Sequence, residues 1–311
     1  MPSTKEELKS EILRLKKEKN ALIMAHYYQR DEIQEIADFI GDSLALARQA
    51  ARTDADIILM CGVHFMGETA AILCPEKKVL IPDEAAGCSL ADSCDPVEFE
   101  KFVKAHPDHT VVSYVNTSAA VKALTDIVVT SGNARKIIES LPADEKIIFG
   151  PDHNLGEYIN AVTGRDMLLW NGACHVHDRF SLEKIMEMKK EHPGAKVLVH
   201  PECKRSLQLI ADKVGSTAAL LDFARNDEAR EFIVVTESGI LFEMRRNCPE
   251  KEFLAAPPEE PGCQCNQCEY MKFNTLQKVY EALKNEAPVI KVDEELAAKA
   301  LRPIQRMLEL S

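Results

Sequence analysis

Short apolar runs that end in clusters of polar residues recur three times along the chain. The runs occupy 21–25, 110–112 and 196–199, and the polar clusters that follow begin at His26, Tyr114 and His200. These starting points stand 88 and 86 residues apart. A short apolar run bounded by polar residues is typical of a buried strand, and self-similarity at a fixed period indicates a repeated structural unit. The pattern therefore predicts three copies of one strand-containing unit.

Each copy continues with the same series of elements. A segment of helical periodicity comes first, then a short element that ends in small hydroxyl residues, and then a second buried strand. The helical segments are about 31–39, 119–124 and 206–211, and the second strands are 56–60, 146–149 and 231–235. Ser43, Ser131 and Ser216 lie 17, 17 and 16 residues after the starts of their clusters. This agreement favours a true repeat over an ordinary alternation of strands and helices.

Strands that alternate with short helices predict parallel sheets covered by helices on both faces. We therefore expect an α/β protein with three α/β/α domains, related by a pseudo-threefold axis and each built on a small parallel sheet. The expected boundaries are 1–20 for an N-terminal helical extension, 21–105, 106–192 and 193–285 for the three repeats, and 286–311 for a C-terminal segment that is helical over about 294–310.

The polar residues at the strand ends predict where the functional site lies. In parallel α/β sheets, functional groups gather beyond the carboxyl ends of the strands. Ser43, Ser131 and Ser216 are each expected at the start of a helix, where free backbone N–H groups and the helix dipole favour anions. Three such ends facing one axis would form a single anion-binding pocket.

Composition and charge argue against two classes of function, those of membrane proteins and of nucleic-acid-binding proteins. Apolar residues make up 46% and charged residues 28% of the chain, as in globular proteins, and no apolar run is long enough to span a membrane. Residues 1–20 form an amphipathic pattern with Leu8, Ile12 and Leu15 on one face and do not resemble a signal peptide. We therefore expect a cytoplasmic protein without a membrane partner. A net charge of −12 without a long basic stripe argues against nucleic-acid binding.

The chain contains ten cysteines, a large number for a cytoplasmic protein. Cys263, Cys265 and Cys268 fall close together, just before a segment of helical periodicity at 269–283. Because a reducing compartment disfavours a disulfide framework, metal binding or thiol chemistry is the better interpretation. A surface group of free thiols is the alternative.

One cysteine from each repeat could reach the same axis. The candidates are Cys88, Cys174 and one of the late group. Three thiolates at one centre leave a fourth metal position open, as in a [4Fe–4S] cluster whose free iron acts as a Lewis acid. A three-thiolate zinc site is a poorer match, since catalytic zinc usually includes histidine.

Nine short stretches of the chain resemble the motifs of a known protein family. They are MAHYYQ (24–29), GDS (41–43), CGVHFM (61–66), AGC (86–88), SYVNTS (113–118), CHVH (174–177), HPEC (200–203), GST (215–217) and CEYMKFN (268–274). Together they resemble the quinolinate synthase family, over about 21–283. The resemblance implies a triangular arrangement of three α/β/α domains with a [4Fe–4S] cluster on the pseudo-threefold axis.

The family's reaction is a transferase reaction of de novo NAD biosynthesis. The resemblance implies that the chain condenses iminoaspartate with dihydroxyacetone phosphate to quinolinate, with release of phosphate and two waters. L-aspartate oxidase, which would supply the unstable iminoaspartate, is then the expected metabolic partner.

The resemblance also implies the cluster ligands. They are Cys88, Cys174 and Cys268, the last chosen over Cys263 and Cys265 because it precedes the YMKFN stretch. Some family members have C-x-x-C-x-x-C here, whereas this chain has C-x-C-x-x-C with Gly262 in place of the first cysteine. A redox role of the neighbouring thiols is therefore not implied.

By resemblance, several residues would bind the substrates. His26 and Ser43 would hold a carboxylate or phosphate, although Ser43 could also be a plain helix N-cap. Asn116 would contact a carboxylate or hydroxyl. Further anion contacts are expected from Ser131, Ser216 and Thr217.

Four residues are expected to be catalytic. Tyr28 and Tyr114 would donate or relay a proton, with a structural hydrogen bond of a buried tyrosine as the alternative. Glu202, beside His200, would act as a base that removes carbon-bound protons, and a surface ion pair is its alternative role. His177 would orient the cluster or the substrate through a hydrogen bond, and Phe65 with Met66 would form an apolar wall.

Two other functions remain open at this stage. A different cluster-dependent hydro-lyase would share the open iron but would not need a phosphate site. A zinc- or cluster-binding sensor would have a closed site of four ligands, no central pocket and no turnover.

Overall fold

The computed structural model describes residues 4–257 and 266–311. In these residues the strands form three four-stranded sheets, and all strand pairs within each sheet are parallel. The prediction of an α/β protein with three small parallel sheets is confirmed. No helix in the described part of the chain is both long and apolar enough to cross a lipid bilayer.

The elements follow one another in three similar blocks. After α1 (Lys5–Glu18), the first block contains β1 (Ala21–His26), α2 (Asp31–Ile36), β2 (Phe39–Gly41), α3 (Ser43–Ala50), β3 (Ile57–Cys61), α4 (His64–Leu73), β4 (Lys78–Leu80), α5 (Ser89–Asp92) and α6 (Pro96–Lys104). The second contains β5 (Thr110–Tyr114), α7 (Ala119–Lys122), β6 (Ile127–Val129), α8 (Ala134–Ser140), β7 (Ile147–Gly150), α9 (His153–Thr163), β8 (Leu168–Leu169), a 3-10 turn (His177–Arg179) and α10 (Leu182–Glu191). The third contains β9 (Lys196–Val199), α11 (Arg205–Gln208), β10 (Lys213–Val214), α12 (Thr217–Asn226), β11 (Glu231–Val235), α13 (Ile240–Asn247), β12 (Glu252–Ala255), α14 (Glu269–Lys272) and α15 (Leu276–Asn285), and α16 (Glu294–Leu310) ends the chain.

The three sheets share one strand order and one register. The orders are β2-β1-β3-β4, β6-β5-β7-β8 and β10-β9-β11-β12. At the carboxyl ends of the two central strands, Ala25 pairs with Cys61, Ser113 with Gly150, and Val199 with Val235. His26, Tyr114 and His200 therefore follow equivalent positions of their sheets, as the repeat spacing predicts.

The observed helices differ from the predicted ones in four places. The segments 119–124 and 206–211 correspond to the shorter helices α7, which ends at Lys122, and α11, which ends at Gln208. The segment 31–39 contains a helix only as far as Ile36, because Ala37 is extended and Phe39 already pairs with Met24 in the sheet. The segment 269–283 contains two helices, since the Thr275 side chain accepts a hydrogen bond from the Lys278 N–H and caps a new helix. The helix predicted over about 294–310 is α16.

Apolar faces of the terminal helices close the core. Leu8, Ile12 and Leu15 of α1 are buried against α15, where Val279 and Leu283 pack in the same cluster. Helix α16 packs on β6 and α7 through buried residues that include Ile304 and Met307. Burial of each such aliphatic side chain stabilises the fold by roughly 1.5–3 kcal/mol. The two helices fix the first and second sheets and leave the strand ends free to line a pocket.

Candidate active site

One pocket lies where the carboxyl ends of the three sheets meet, and equivalent residues of the repeats line it. Four sets of three contribute: His26, Tyr114 and His200; Tyr28, Asn116 and Glu202; Ser43, Ser131 and Thr217; and Cys88, Cys174 and Cys268. The second set stands two residues after the first in every repeat, and the third set stands 17 residues after it. The pseudo-threefold repeat thus brings chemically different side chains to one place.

The hydroxyl residues reach the pocket through short turns. Ser43 is the first residue of α3, whose N-cap is Asp42, so Ser43 is not the plain cap that the sequence allowed. Thr217 opens α12 in the same way after the N-cap Ser216. Ser131 lies in the turn before α8, which begins only at Ala134.

Ser216 differs from the other predicted anion contacts, because it does not line the pocket. Its hydroxyl accepts a hydrogen bond from the Ala219 N–H at 3.3 Å and also interacts with the Asp42 carboxylate. Thr217, one residue later, stands at the spacing of Ser43 and Ser131 and takes the lining position. In the third repeat, the residue 16 positions after His200 is the helix N-cap Ser216, and the pocket residue Thr217 stands 17 positions after it.

His26 and His200 enter the pocket as neutral imidazoles. The Nδ1 atom of His26 accepts a hydrogen bond from the Tyr28 N–H at 3.1 Å, and Nδ1 of His200 accepts one from the Glu202 N–H at 3.4 Å. Burial lowers the pKa of each imidazole to about 3. A neutral ring whose Nδ1 is an acceptor carries its proton on Nε2, so each histidine has one N–H donor for a ligand.

Glu202 lies at the centre of a buried hydrogen-bond network. Its Oε1 accepts from the Tyr114 hydroxyl at 2.5 Å, and its Oε2 is 2.9 Å from Nδ1 of His177. Glu202 is only 3% exposed, which excludes a surface ion pair. Burial on its own favours the neutral acid, but the His177 imidazole and the hydrogen bonds outweigh it and lower the pKa of Glu202. The carboxylate is therefore ionised at neutral pH.

A second network connects Tyr28 with His177. The Tyr28 hydroxyl is 2.7 Å from Oγ1 of Thr236 and 3.3 Å from Oγ1 of Thr217. Nε2 of His177 is 2.8 Å from the same Thr236 oxygen. Burial, aided by the charge of Glu202, raises the pKa of Tyr28 and keeps its phenol protonated. Thr236 thus joins Tyr28 to the Glu202 network through His177.

Cys88, Cys174 and Cys268 line the pocket from three separate segments of the chain. Burial, together with repulsion from the Cys268 thiolate, raises the pKa of Cys88 to about 12, and burial raises the pKa of Cys268 to about 11. Cys174 interacts in the same way with both. Thiols that repel one another as anions would be stabilised as thiolates by a shared metal centre. The donor set fits a metal centre with three thiolate ligands.

A smaller group of donors overlaps with the thiols. Ligand atoms of Cys174, His177 and Glu202 all lie within 4.8 Å of one another. The Nδ1 atom of His177 is 3.3 Å from the Cys174 sulfur. His177 therefore contacts a candidate ligand. Cys61, Cys74, Cys94, Cys203 and Cys248 are buried in the core, and Cys263 and Cys265 lie outside the described residues.

Comparison with known proteins identifies the family. A family model described as quinolinate synthetase A protein matches residues 10–309. The chain belongs to the quinolinate synthetase A family. It is 56% identical to the quinolinate synthase of Trichormus variabilis over 297 residues, which cover 96% of this chain and 91% of that protein. It is 53% identical to the quinolinate synthase of Chloroherpeton thalassium over 305 residues, 98% of this chain and 95% of that protein.

Six lining residues of this quinolinate synthetase A family member were not singled out from its sequence. Asp42 and Thr130 precede Ser43 and Ser131, and Glu237 follows the central strand β11. Val63 and Met271 add to the apolar wall of Phe65 and Met66, and Val176 lies beside Cys174. Residues that follow the second central strand of each sheet could have been found by the rule that identified His26, Tyr114 and His200.

Proposed function

We propose that the chain condenses iminoaspartate with dihydroxyacetone phosphate to give quinolinate, phosphate and two waters, as a transferase of de novo NAD biosynthesis. The observation that carries this proposal is the combination, in one pocket, of an ionised buried carboxylate, neutral N–H and O–H donors and three thiols from separate segments. Family membership supports the same conclusion. L-aspartate oxidase is the proposed source of iminoaspartate, and the cytoplasm remains the expected location.

Cys88, Cys174 and Cys268 would hold a [4Fe–4S] cluster. The cluster supplies a Lewis acid at its open iron when bound. The described residues offer three thiols at the pocket and no fourth one there, which supports an open position.

Neutral donors would hold the anionic groups of the substrates. The Nε2–H groups of His26 and His200 and the hydroxyls of Ser43, Ser131 and Thr217 all line the pocket. Such local donors are needed because the overall charge of −12 disfavours anions. The Asn116 side-chain oxygen is buried and has no hydrogen-bond partner among the described residues. A hydroxyl or amino group of a ligand would satisfy it, because buried polar atoms are rarely left unpaired.

Glu202 would be the base. Ring formation requires the removal of protons from carbon, and the Glu202 carboxylate, which is already ionised in the pocket, can accept such a proton. Tyr114 would return a proton to an oxygen of the substrate, since its hydroxyl already donates to Glu202 and burial keeps its pKa high. Tyr28, which contacts Thr217 and Thr236, would be a second proton donor in the pocket.

The apolar side of the pocket would exclude water. Phe65, Met66, Val176 and Met271 are buried beside the donors. Iminoaspartate hydrolyses in water, so a dry wall protects it until it reacts. Exclusion of water also strengthens each hydrogen bond to the developing charges.

The experiment that tests the proposal starts from anaerobically purified protein with its iron, sulfide and zinc measured. Iminoaspartate is generated with L-aspartate oxidase, dihydroxyacetone phosphate is added, and quinolinate and phosphate are quantified. We expect about four irons and four sulfides per chain and equal amounts of both products. Turnover of another hydroxy acid without consumption of dihydroxyacetone phosphate would instead favour a different hydro-lyase. Stoichiometric zinc without sulfide or turnover would favour a sensor.

A further inference from the structure

Two buried carboxylates contact the backbones of two proposed cluster ligands. Oδ2 of Asp152 accepts a hydrogen bond from the Cys174 N–H at 2.8 Å. Oε1 of Glu237 accepts one from the Cys268 N–H at 3.1 Å. Asp152 is fully buried and Glu237 is 1% exposed. Each carboxylate therefore binds the backbone N–H of a cysteine whose side chain lines the pocket.

The two carboxylates occupy equivalent positions of two repeats. Asp152 stands two residues after Gly150, which ends β7, and Glu237 stands two residues after Val235, which ends β11. The same position in the first repeat is Val63, an apolar side chain of the pocket wall. This position therefore holds a carboxylate that contacts a cysteine in the second and third repeats, and an apolar residue in the first repeat.

Within residues 4–257 and 266–311, both carboxylates have only donors as hydrogen-bond partners. Besides Cys174, Asp152 accepts from the Leu155 N–H at 2.9 Å and so caps α9. Besides Cys268, Glu237 accepts from the Gly239 N–H at 2.7 Å and pairs with the Lys272 ammonium at 3.0 Å. A carboxylate can satisfy donors with both oxygens, whereas an amide of the same shape has to turn its NH2 group towards one of them.

Glu237 also connects the Cys268 segment to the substrate side of the pocket. The Lys272 ammonium that pairs with Glu237 donates to the Tyr28 carbonyl oxygen at 2.6 Å. Gly239 lies so close to this residue that an added Cβ would come within 2.8 Å of the Tyr28 Cα and of the Glu237 Oε2. Glu237 and Lys272 thereby connect the backbones of Cys268 and Tyr28.

We infer that Asp152 and Glu237 are positioning residues that hold Cys174 and Cys268 ready to ligate the cluster. The inference rests on the proposed cluster with three cysteine ligands. Both cysteines lie outside the sheets, so their conformation depends on such contacts. Residues that orient metal ligands typically change metal affinity by about 10- to 100-fold when replaced.

The test compares Asp152→Asn and Glu237→Gln with the unsubstituted chain, all loaded with iron and sulfide anaerobically. The side-chain oxygen of an asparagine at position 152 can still cap α9. Its NH2 group then faces the Cys174 N–H, so that a donor replaces the acceptor of the cysteine. We expect the rate of iron transfer to an added chelator to rise about 10- to 100-fold in each variant, with altered Mössbauer parameters of the bound iron. Asp293→Asn is the matched control, because Asp293 caps α16 through the Leu296 N–H and does not line the pocket.

Iron release and Mössbauer spectra equal to those of the unsubstituted chain in both variants would overturn the inference, while the cluster proposal would stand. Failure of the unsubstituted chain to bind iron and sulfide would overturn the cluster proposal first, and this inference with it. Glu237→Gln keeps the inference falsifiable if Asp152→Asn does not fold, because Glu237 does not cap a helix.

Discussion

The Tyr114 hydroxyl donates a hydrogen bond to Oε1 of Glu202 at 2.5 Å, although the two residues belong to different sheets. Tyr114 ends β5, and Glu202 follows β9. Both side chains are buried, so the hydrogen bond forms away from bulk water, where a charge-assisted contact is strong. The contact joins the proposed base to the proposed proton donor across the boundary between two repeats.

Tyr114→Phe should lower kcat for quinolinate formation by about 100-fold, since positioned proton transfer contributes 10²–10⁴-fold. The substitution removes the donor and leaves the carboxylate of Glu202 in place. Iron and sulfide content should not change, because Tyr114 is not a proposed ligand. Tyr158→Phe, on α9 and outside the pocket lining, is the matched control and should keep full activity. A kcat of Tyr114→Phe close to that of the unsubstituted chain would remove Tyr114 from the mechanism.

Replacement of the proposed ligands tests the metal centre directly. Cys88→Ala, Cys174→Ala and Cys268→Ala should each prevent incorporation of a complete cluster and abolish activity, since two thiolates cannot replace three. Iron and sulfide analysis after anaerobic reconstitution measures the first effect, and quinolinate formation measures the second. Full activity in any one of these variants would refute its assignment as a ligand.

Cys263→Ala is the control for this series. Its position lies outside the described residues, and the family resemblance assigns the ligand to Cys268 instead. The variant should retain the iron and sulfide content of the unsubstituted chain. Loss of iron from Cys263→Ala together with retention in Cys268→Ala would show that the wrong thiol was chosen.

The strand ends were predictable because the polar clusters that follow the strands recur at nearly equal intervals along the sequence. His26, Tyr114 and His200 follow the first central strands of their sheets, and those strands are read directly from apolar runs. Helix lengths were less predictable. Phe39 continues an apolar helical pattern, yet its pairing with Met24 places it in a strand, because tertiary contacts override local periodicity.

Contacts between repeats could not be predicted from spacing alone. The Tyr28–Thr236 and His177–Glu202 contacts join residues of different blocks, and their distances depend on how the sheets pack. Thr236 nonetheless stands directly after β11, at the strand end where functional groups gather. A search of the second central strands, and not only of the first, would have identified it.

Thr236→Val should weaken catalysis without removing the metal centre. Valine has the shape of threonine but lacks the hydroxyl, so Nε2 of His177 and the Tyr28 hydroxyl lose the atom that joins them. We expect kcat to fall roughly tenfold, in line with a cost of about 1–3 kcal/mol for a buried polar group that loses its hydrogen-bond partner. Thr236→Ser restores the hydroxyl and should recover most of the rate. Equal rates for the valine and serine variants would mean that the hydroxyl has no role.

The neutral histidines predict a specific dependence of stability on pH. Burial lowers the pKa of His26 from 6.5 to about 3, so the unfolded chain binds this proton at a higher pH than the folded chain does. The associated stability is present above pH 6.5 and is lost as the pH falls from there towards 3. Between pH 7 and pH 5, His26 should therefore reduce the free energy of unfolding by about 2 kcal/mol.

His26→Gln tests this prediction, because glutamine does not titrate. Urea unfolding of the cluster-free chain at pH 7 and pH 5 gives the change in free energy for each protein. The loss on acidification should be smaller by about 2 kcal/mol in the variant, since one proton-binding group of the unfolded chain is gone. His64→Gln is the matched control, because that imidazole is exposed on α4. The same loss in His26→Gln and in the unsubstituted chain would show that His26 is not held neutral by burial.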